Sequence, residues 1–444
     1  MRAPVMWSFD LLAVTMNIWS GVSSYSDHDV PRSSQDRVRE WAQTRGGNMT
    51  TPAAAADRRE RVVFAIAVVM ASTCVAQAFG RFTWGVVLPG ARDDLLDGSN
   101  TLAGFFGTVN VTAYLLGTLF VSWASGRLSL VTLVRIGLTT STVSLALASV
   151  AQSAIVLAIG LFGMGVGGAI IWIPAPKIAA RVFPAERAGV AVGLVGSGIG
   201  IGTAFAGQLA AFLGRSRDAV DVWQLVYRIE FVIAVVVLIG TLTVLRDRGE
   251  RPTGGGGIGG IGALRTVRGW VPTSVAYAAF GFSYILVLAF LVARLKDDAG
   301  FSSARASAMF SLVGIAAAFG GISLGALSDR IGRRVTLTGS FTAFAVCGLI
   351  ILTGQSVLVI VASIGAGLAF SGGPALITAH IVANTDANSY GPAFSAATLA
   401  FGVAQMVSPQ IGGLIADSAG SFTWVFVLSA VISMVGAAAA SRLP

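Results

Sequence analysis

Apolar residues in this chain come in long stretches separated by short polar turns. A helix that crosses a bilayer needs about 20 such residues. Stretches of that kind lie at 62–89, 102–124, 130–151, 153–176, 188–213, 223–245, 271–293, 304–327, 335–354, 356–381, 392–416 and 422–440. The pattern predicts twelve transmembrane helices and an all-α polytopic membrane protein. Most of the stretches are rich in Gly and Ala. Small residues let helices approach closely in lipid, where burying apolar surface supplies no driving force.

Composition agrees with the pattern. Of 444 residues 55% are apolar and 11% charged, against about 25% charged in a soluble domain. An ordinary cytosolic enzyme, a secreted disulfide scaffold and a disordered chain are excluded. Cys74 and Cys347 each sit inside an apolar stretch, which argues against a disulfide framework or a zinc site. The net charge of +9 does not point to nucleic acid, because the basic residues flank apolar stretches. Arg127, Lys177, Arg181, Arg187 and Arg246, with Arg248, Arg251, Arg265, Arg268, Arg330, Arg333 and Arg334, fall on one side. Arg92, Arg215, Arg217, Arg294, Lys296 and Arg305 fall on the other. Lysine and arginine are retained on the cytoplasmic side, so both termini are expected there.

Residues 1–57 read as a disordered extension, or as sequence upstream of a start at Met49. A cleaved signal peptide over Ala3–Val22 is the alternative; it would place Arg58, Arg59 and Arg61 outside, against the charge rule. Residues 247–270 read as a cytoplasmic linker. Their glycines, Gly254 to Gly262, lack the strand that a dinucleotide-binding turn requires.

The chain overlays itself at an offset of about 200 residues. Val75-Ala76-Gln77-Ala78-Phe79-Gly80-Arg81-Phe82 is echoed by Val275-Ala276-Tyr277-Ala278-Ala279-Phe280-Gly281-Phe282. Val131-Thr132-Leu133 returns as Val335-Thr336-Leu337. Gly163-x-Gly165 returns as Gly365-x-Gly367, and Gly200 and Gln208 as Gly402 and Gln410. The ordered series predicts two pseudo-symmetric six-helix halves, 58–246 and 271–444, inserted in the same sense as parallel repeats.

Between the eighth and ninth stretches runs Gly325-Ala326-Leu327-Ser328-Asp329-Arg330-Ile331-Gly332-Arg333-Arg334. This resembles the G-x-x-x-D-R-x-G-R-R signature of the major facilitator superfamily, in its second-half copy. The first-half copy, Val121 to Leu130, has Ser125 in place of the Asp and keeps Gly126-Arg127. The resemblance covers nearly all of 58–444. It implies the twelve-helix fold of that superfamily, a secondary transporter, a monomer, and a loop in which Gly325, Asp329, Arg330, Gly332, Arg333 and Arg334 lock the halves at the cytoplasmic face. Gly80-Arg81-Phe82-x5-Leu88-Pro89 further resembles its YbfB/YjiJ-like branch.

Charged side chains inside the stretches are few. An Arg near the bilayer centre costs roughly 2.5–3.5 kcal/mol on insertion scales, so it normally faces protein or a watery interior. Gln77, Arg81, Trp84 and Leu88 share a helical face. Arg81, whose repeat partner is Gly281, is the candidate that fixes a substrate carboxylate by a bidentate contact; the alternative is a structural Arg that snorkels or caps carbonyls. Gln77, Trp84, Trp172, Tyr277 and Tyr284 are candidate lining residues. The resemblance implies that helices 1, 4, 7 and 10 line the cavity. His380 is the candidate for proton coupling. Lys177 reads as a snorkelling side chain, and Arg228 and Glu230 as structural.

The expectation is a secondary active transporter of a small organic solute, a carboxylate-bearing metabolite, working by alternating access with protons as candidate coupling ion. An efflux pump for drugs or amphipathic compounds is the alternative; the lack of an acidic residue in the central helices counts against cationic drugs. No catalytic constellation is visible, so no enzyme and no cofactor or metal is expected. The arginine- and alanine-rich usage suggests the cytoplasmic membrane of a bacterium. A chain begun at Met49 is expected to insert and transport as the full chain does; its failure in a vesicle uptake assay would show that residues 1–48 take part.

Overall fold

The computed structural model describes residues 52–182, 188–245, 264–265, 267–385 and 387–444. The expected N-terminal extension up to residue 51, and 246–263 and 266 of the expected linker, lie outside the described residues. The chain divides into a unit Met1–Arg59 and a unit Glu60–Pro444; the second holds all of the spans.

Among the described residues twelve helices are long and apolar enough to cross a membrane: α1 Val63–Leu95, α2 Asn100–Ala124, α3 Leu130–Ser149, α4 Ala154–Ala180, α5 Gly193–Leu213, α6 Ala219–Val244, α7 Trp270–Asp298, α8 Ser303–Ile331, α9 Arg333–Ile351, α10 Ser356–Ala383, α11 Ala393–Ala419 and α12 Thr423–Ala440. Serine one residue ahead of a span starts several of them. Ser99, Ser129, Ser153 and Ser302 each accept from a backbone N–H of the first turn, which satisfies a donor that the helix itself cannot.

Helices α1–α6 and α7–α12 form the two halves. They meet where glycine removes the side chain between two backbones. A Cβ on Gly200 of α5 would strike the backbone of Ala318 in α8, and one on Gly314 of α8 would strike Ala204. Ser311 adds a bond from its hydroxyl to the Ala204 carbonyl at 2.9 Å. α1 and α7 approach in the same way at Gly85, against the Leu288 carbonyl.

Charged contacts between the halves cluster at the end that carries the α1–α2 and α7–α8 turns. Arg92 of α1, 8% exposed, donates to Asp297 of α7 at 2.7 Å and to Asn100 at 2.7 Å, and pairs with Asp93 at 2.8 Å. Lys296 reaches Asp93 at 3.3 Å. Asp417 of α11 accepts from the backbone N–H groups of Asn100 and Thr101 at 3.0 and 2.7 Å. A carboxylate there sits on the positive end of the α2 dipole.

The opposite end differs from the expectation. Gly325 to Ile331 do not form a loop: they complete the last turns of α8, and the break is Gly332 alone, with φ +89°. That left-handed conformation suits glycine. Asp329, Arg330, Gly332, Arg333 and Arg334 are exposed. Among the described residues they make no hydrogen bond or ion pair to the first half; Arg333 donates to the Ala379 carbonyl of its own half at 3.2 Å. Among the described residues the motif therefore makes no lock between the halves, while charged contacts join them at the other end.

If the Arg92 cluster seals that end, Arg92→Gln loosens it. A cysteine at Ala289, buried behind the cluster, in a Cys74→Ser/Cys347→Ser background, is then expected to react with an impermeant maleimide about fivefold faster, the effect of roughly 1 kcal/mol. An unchanged rate would assign the seal to the glycine contacts instead.

Candidate functional site

Midway along α1 the helix changes its winding. Cys74–Phe82 form a π-helical stretch, which widens the turn and leaves backbone groups to be satisfied from outside. Asn110 of α2 does so: its amide donates to the Gly80 carbonyl at 2.9 Å and to the Leu161 carbonyl of α4 at 2.8 Å. The widened turn carries Gln77 and Arg81.

Arg81 is 9% exposed. Its Nη1 donates to Gln77 Oε1 at 2.9 Å, and Gln77 Nε2 donates to the Gly168 carbonyl of α4 at 3.3 Å. The guanidinium carbon lies 4.2 Å from the centroid of the Tyr114 ring and 5.7 Å from that of Phe82. Cation–π contact stabilises a desolvated guanidinium by about 2 kcal/mol at best. Nε and Nη2 are buried and make no hydrogen bond of good geometry, and the Tyr284 hydroxyl lies close enough to interact with the charge. Those two nitrogens point their hydrogens along one edge of the group, the edge that a carboxylate takes bidentate. Among the described residues no carboxylate pairs with Arg81.

The second half meets this charge with aromatic rings. Phe82 stands edge-on to Tyr284 of α7 and Phe370 of α10, at 6.4 and 5.5 Å between centroids. Behind it Tyr284 stacks on Phe280 at 4.9 Å and on Phe370 at 5.1 Å. Tyr277 stacks on Phe401 of α11 at 4.7 Å. Gln405 of α11 donates to the Tyr284 hydroxyl at 2.5 Å. Gly281, the repeat partner of Arg81, lies under the Phe401 ring, where a Cβ would collide with it. A small cavity, with room for about one water molecule, is lined by Arg81, Phe82, Trp84, Asn110, Ile285 and Leu288.

The expected lining residues therefore separate into groups. Gln77, Arg81 and Tyr284 come together. Trp84 lines the cavity, stacked on Phe106 at 6.0 Å, with its ring N–H buried and unpartnered. Tyr277 belongs to the aromatic wall. Trp172 is half-buried, one helical turn beyond Gly168 on α4. His380 is buried at the far end of α10, beside Asn384; ten residues separate it from Phe370, about 15 Å of helix. Lys177 is exposed and Arg228 ties to the Ser149 carbonyl at 3.1 Å. Glu230 is fully buried; its Oε1 accepts from Thr83 at 2.6 Å and its Oε2 has no partner.

Reading the sequence missed Tyr114, Asn110, Phe401 and Gln405. A polar amide in the middle of an apolar span is a signal for Asn110 and Gln405. The two aromatic residues stand among many others and carry no such mark.

Asn110→Leu is expected to lower the unfolding midpoint in detergent, because two buried carbonyls lose their donor at a cost of about 2–4 kcal/mol. Ser141→Ala is the control: that buried hydroxyl has no partner, and its loss should leave the midpoint near wild type. Equal midpoints for the two variants would remove Asn110 from its supporting role.

Comparison with known proteins adds the following. The family model described as "Uncharacterised MFS-type transporter YbfB" matches residues 73–441. A Haemophilus influenzae protein described as a "Putative metabolite transport protein" is 37% identical over 81 residues; the match spans 18% of this chain and only 20% of that protein. Among solved structures, a bacterial homolog to the human lysosomal transporter Spinster, inward-facing and occupied, aligns with a TM-score of 0.67 at 17% identity, covering 87% of this chain and 97% of its own. The D-xylose-proton symporter aligns with a TM-score of 0.67 at 16% identity, covering 86% and 98%.

Proposed function

Because the chain belongs to the YbfB-type family of major facilitator superfamily transporters, a family of transporters and not of enzymes, we propose that it carries a small carboxylate-bearing metabolite by alternating access. The observation that carries this reading is the free edge of Arg81. A buried guanidinium without a counter-ion is unfavourable, and an anion that accepts from Nε and Nη2 relieves it. Gln77 and Tyr114 hold the group in place for the contact. The substrate would lie between the halves, where it touches both and can bias their rocking.

Transport then requires the Arg92 cluster to open while the ends of α8 and α9 close. The basic residues at those ends support a cytoplasmic orientation for them and for both termini, in the cytoplasmic membrane of a bacterium and as a monomer. Protons are the coupling ion of this reading. His380 is the carrier read from the sequence; its place about 15 Å of helix along α10 from Phe370 supports a role at the moving end rather than at the substrate. Glu230, buried against Thr83 of α1, is a second carboxyl-based carrier beside the helix that holds Arg81.

Purified protein would be tested by thermal shift with small carboxylates, their neutral amides and lipophilic cations, for wild type and Arg81→Ala. Stabilisation by a carboxylate is expected, weakened about tenfold or more in the variant, with no response to the amide. Stabilisation by lipophilic cations, unchanged by Arg81→Ala, would discard the anion reading in favour of efflux of amphipathic compounds. In proteoliposomes an imposed pH gradient should drive uptake of the stabilising carboxylate; no response to the gradient would remove protons as the coupling ion.

A further inference from the structure

The two halves offer a substrate different chemistry at the same level. The first half brings one charge, Arg81, with its bidentate edge free. The second replaces that position by Gly281 and fills the space with rings. Five of them, Tyr277, Phe280, Tyr284, Phe370 and Phe401, come from α7, α10 and α11. The contacts among them lie between 4° and 29° of parallel, whereas Phe280 meets Phe341 of α9 edge-on at 78°. Aromatic pairs in a core favour both offset-stacked and edge-on arrangements, so alignment across three helices is not required by packing alone. Such a wall offers stacking and edge-on partners to a further ring. Phe401 is half-buried and the rest of the wall is buried. What stands across the front of it in this structure is Phe82, edge-on at 82° and 87° to Tyr284 and Phe370, and Phe82 adjoins Arg81 in the chain.

We propose that the substrate is an aromatic carboxylate, whose acid group takes the Nε/Nη2 edge of Arg81 and whose planar ring takes the place of Phe82 against the Phe280–Tyr284–Phe370–Phe401 wall. This rests on the carboxylate reading above and adds the chemical class of the body. The geometry is compatible with a short linker between acid and ring. Phe82 follows Arg81 directly, and the guanidinium carbon is 5.7 Å from its centroid. A guest that displaces that ring must place its acid at a similar distance. Gln405, by holding the Tyr284 hydroxyl, fixes the orientation of the ring nearest the charge.

Three probes of matched size separate the contributions: 3-phenylpropionate, 3-cyclohexylpropionate and 3-phenylpropanamide, each titrated calorimetrically into the purified full-length protein. The cyclohexyl acid is the more hydrophobic of the two acids, so an unshaped apolar pocket would favour it. The wall predicts the reverse, with the phenyl acid bound about three- to tenfold more tightly and the amide not bound. Phe370→Leu and Phe401→Leu should abolish that preference while leaving the affinity for the cyclohexyl acid within about twofold, since apolar volume is largely kept. Equal or tighter binding of the cyclohexyl acid, or a preference that survives both leucine variants, would overturn the aromatic class while leaving the carboxylate reading in place. Binding of the amide as tight as that of the acid, or affinities unchanged by Arg81→Gln, would instead overturn the carboxylate reading itself. No binding of either acid at millimolar concentration also rejects the aromatic class.

Discussion

A guanidinium buried in the middle of a membrane span, with one edge committed and the other free, is the constraint around which this protein is built. Lipid and apolar helix neighbours offer such a group nothing, and insertion at that depth costs several kcal/mol. The protein answers with neutral contacts only: the Gln77 carbonyl oxygen at 2.9 Å and the face of Tyr114 at 4.2 Å. A carboxylate partner would have been the simplest way to lower the cost, and would have consumed the edge. The winding of α1 follows from this. The π-helical stretch carries both Gln77 and Arg81, and Asn110 makes it affordable by satisfying the Gly80 carbonyl.

Pseudo-symmetry supplies the frame and its violation supplies the chemistry. The halves repeat in helix order and in their glycines, which allow backbone-to-backbone approach of α5 with α8 and α1 with α7. At the central level the repeat is abandoned. The repeat partner of Arg81 is Gly281, where a Cβ would collide with Phe401. One half therefore contributes charge and the other aromatic surface. Under the proposed function, a molecule bound to both would touch both halves, and so could shift the balance between their arrangements.

The ends of the bundle differ in the same functional sense. Where α1 and α7 turn, Arg92, Asp93, Lys296 and Asp297 form a partly buried cluster, and Asp417 joins the start of α2 across the interface. These contacts are charge-assisted and easily exchanged for water, so they can seal without fixing the halves permanently. At the other end, Asp329, Arg330, Arg333 and Arg334 stand exposed.

The amino-acid sequence by itself determined the twelve spans, the two halves and the family, because span length, apolar content and an internal repeat are properties of neighbouring residues along a chain. It also determined that Arg81 matters, since a charge in an apolar stretch is conspicuous wherever the helix packs. It placed the Asp329–Arg334 motif in a loop, whereas α8 runs through to Ile331 and only Gly332 breaks it: helix propensity and the tertiary neighbours of α8 extend the helix past the end of its apolar run. Only the tertiary structure decided that Gln77 and Tyr284 join Arg81, that His380 stands about 15 Å of helix away from that level, and that Tyr114, Asn110, Phe401 and Gln405 belong to the site. Those relations join residues far apart in the chain, 121 positions in the bond from Gln405 to Tyr284. They depend on helix rotation and on the local π winding of α1, which the period of apolar residues does not encode.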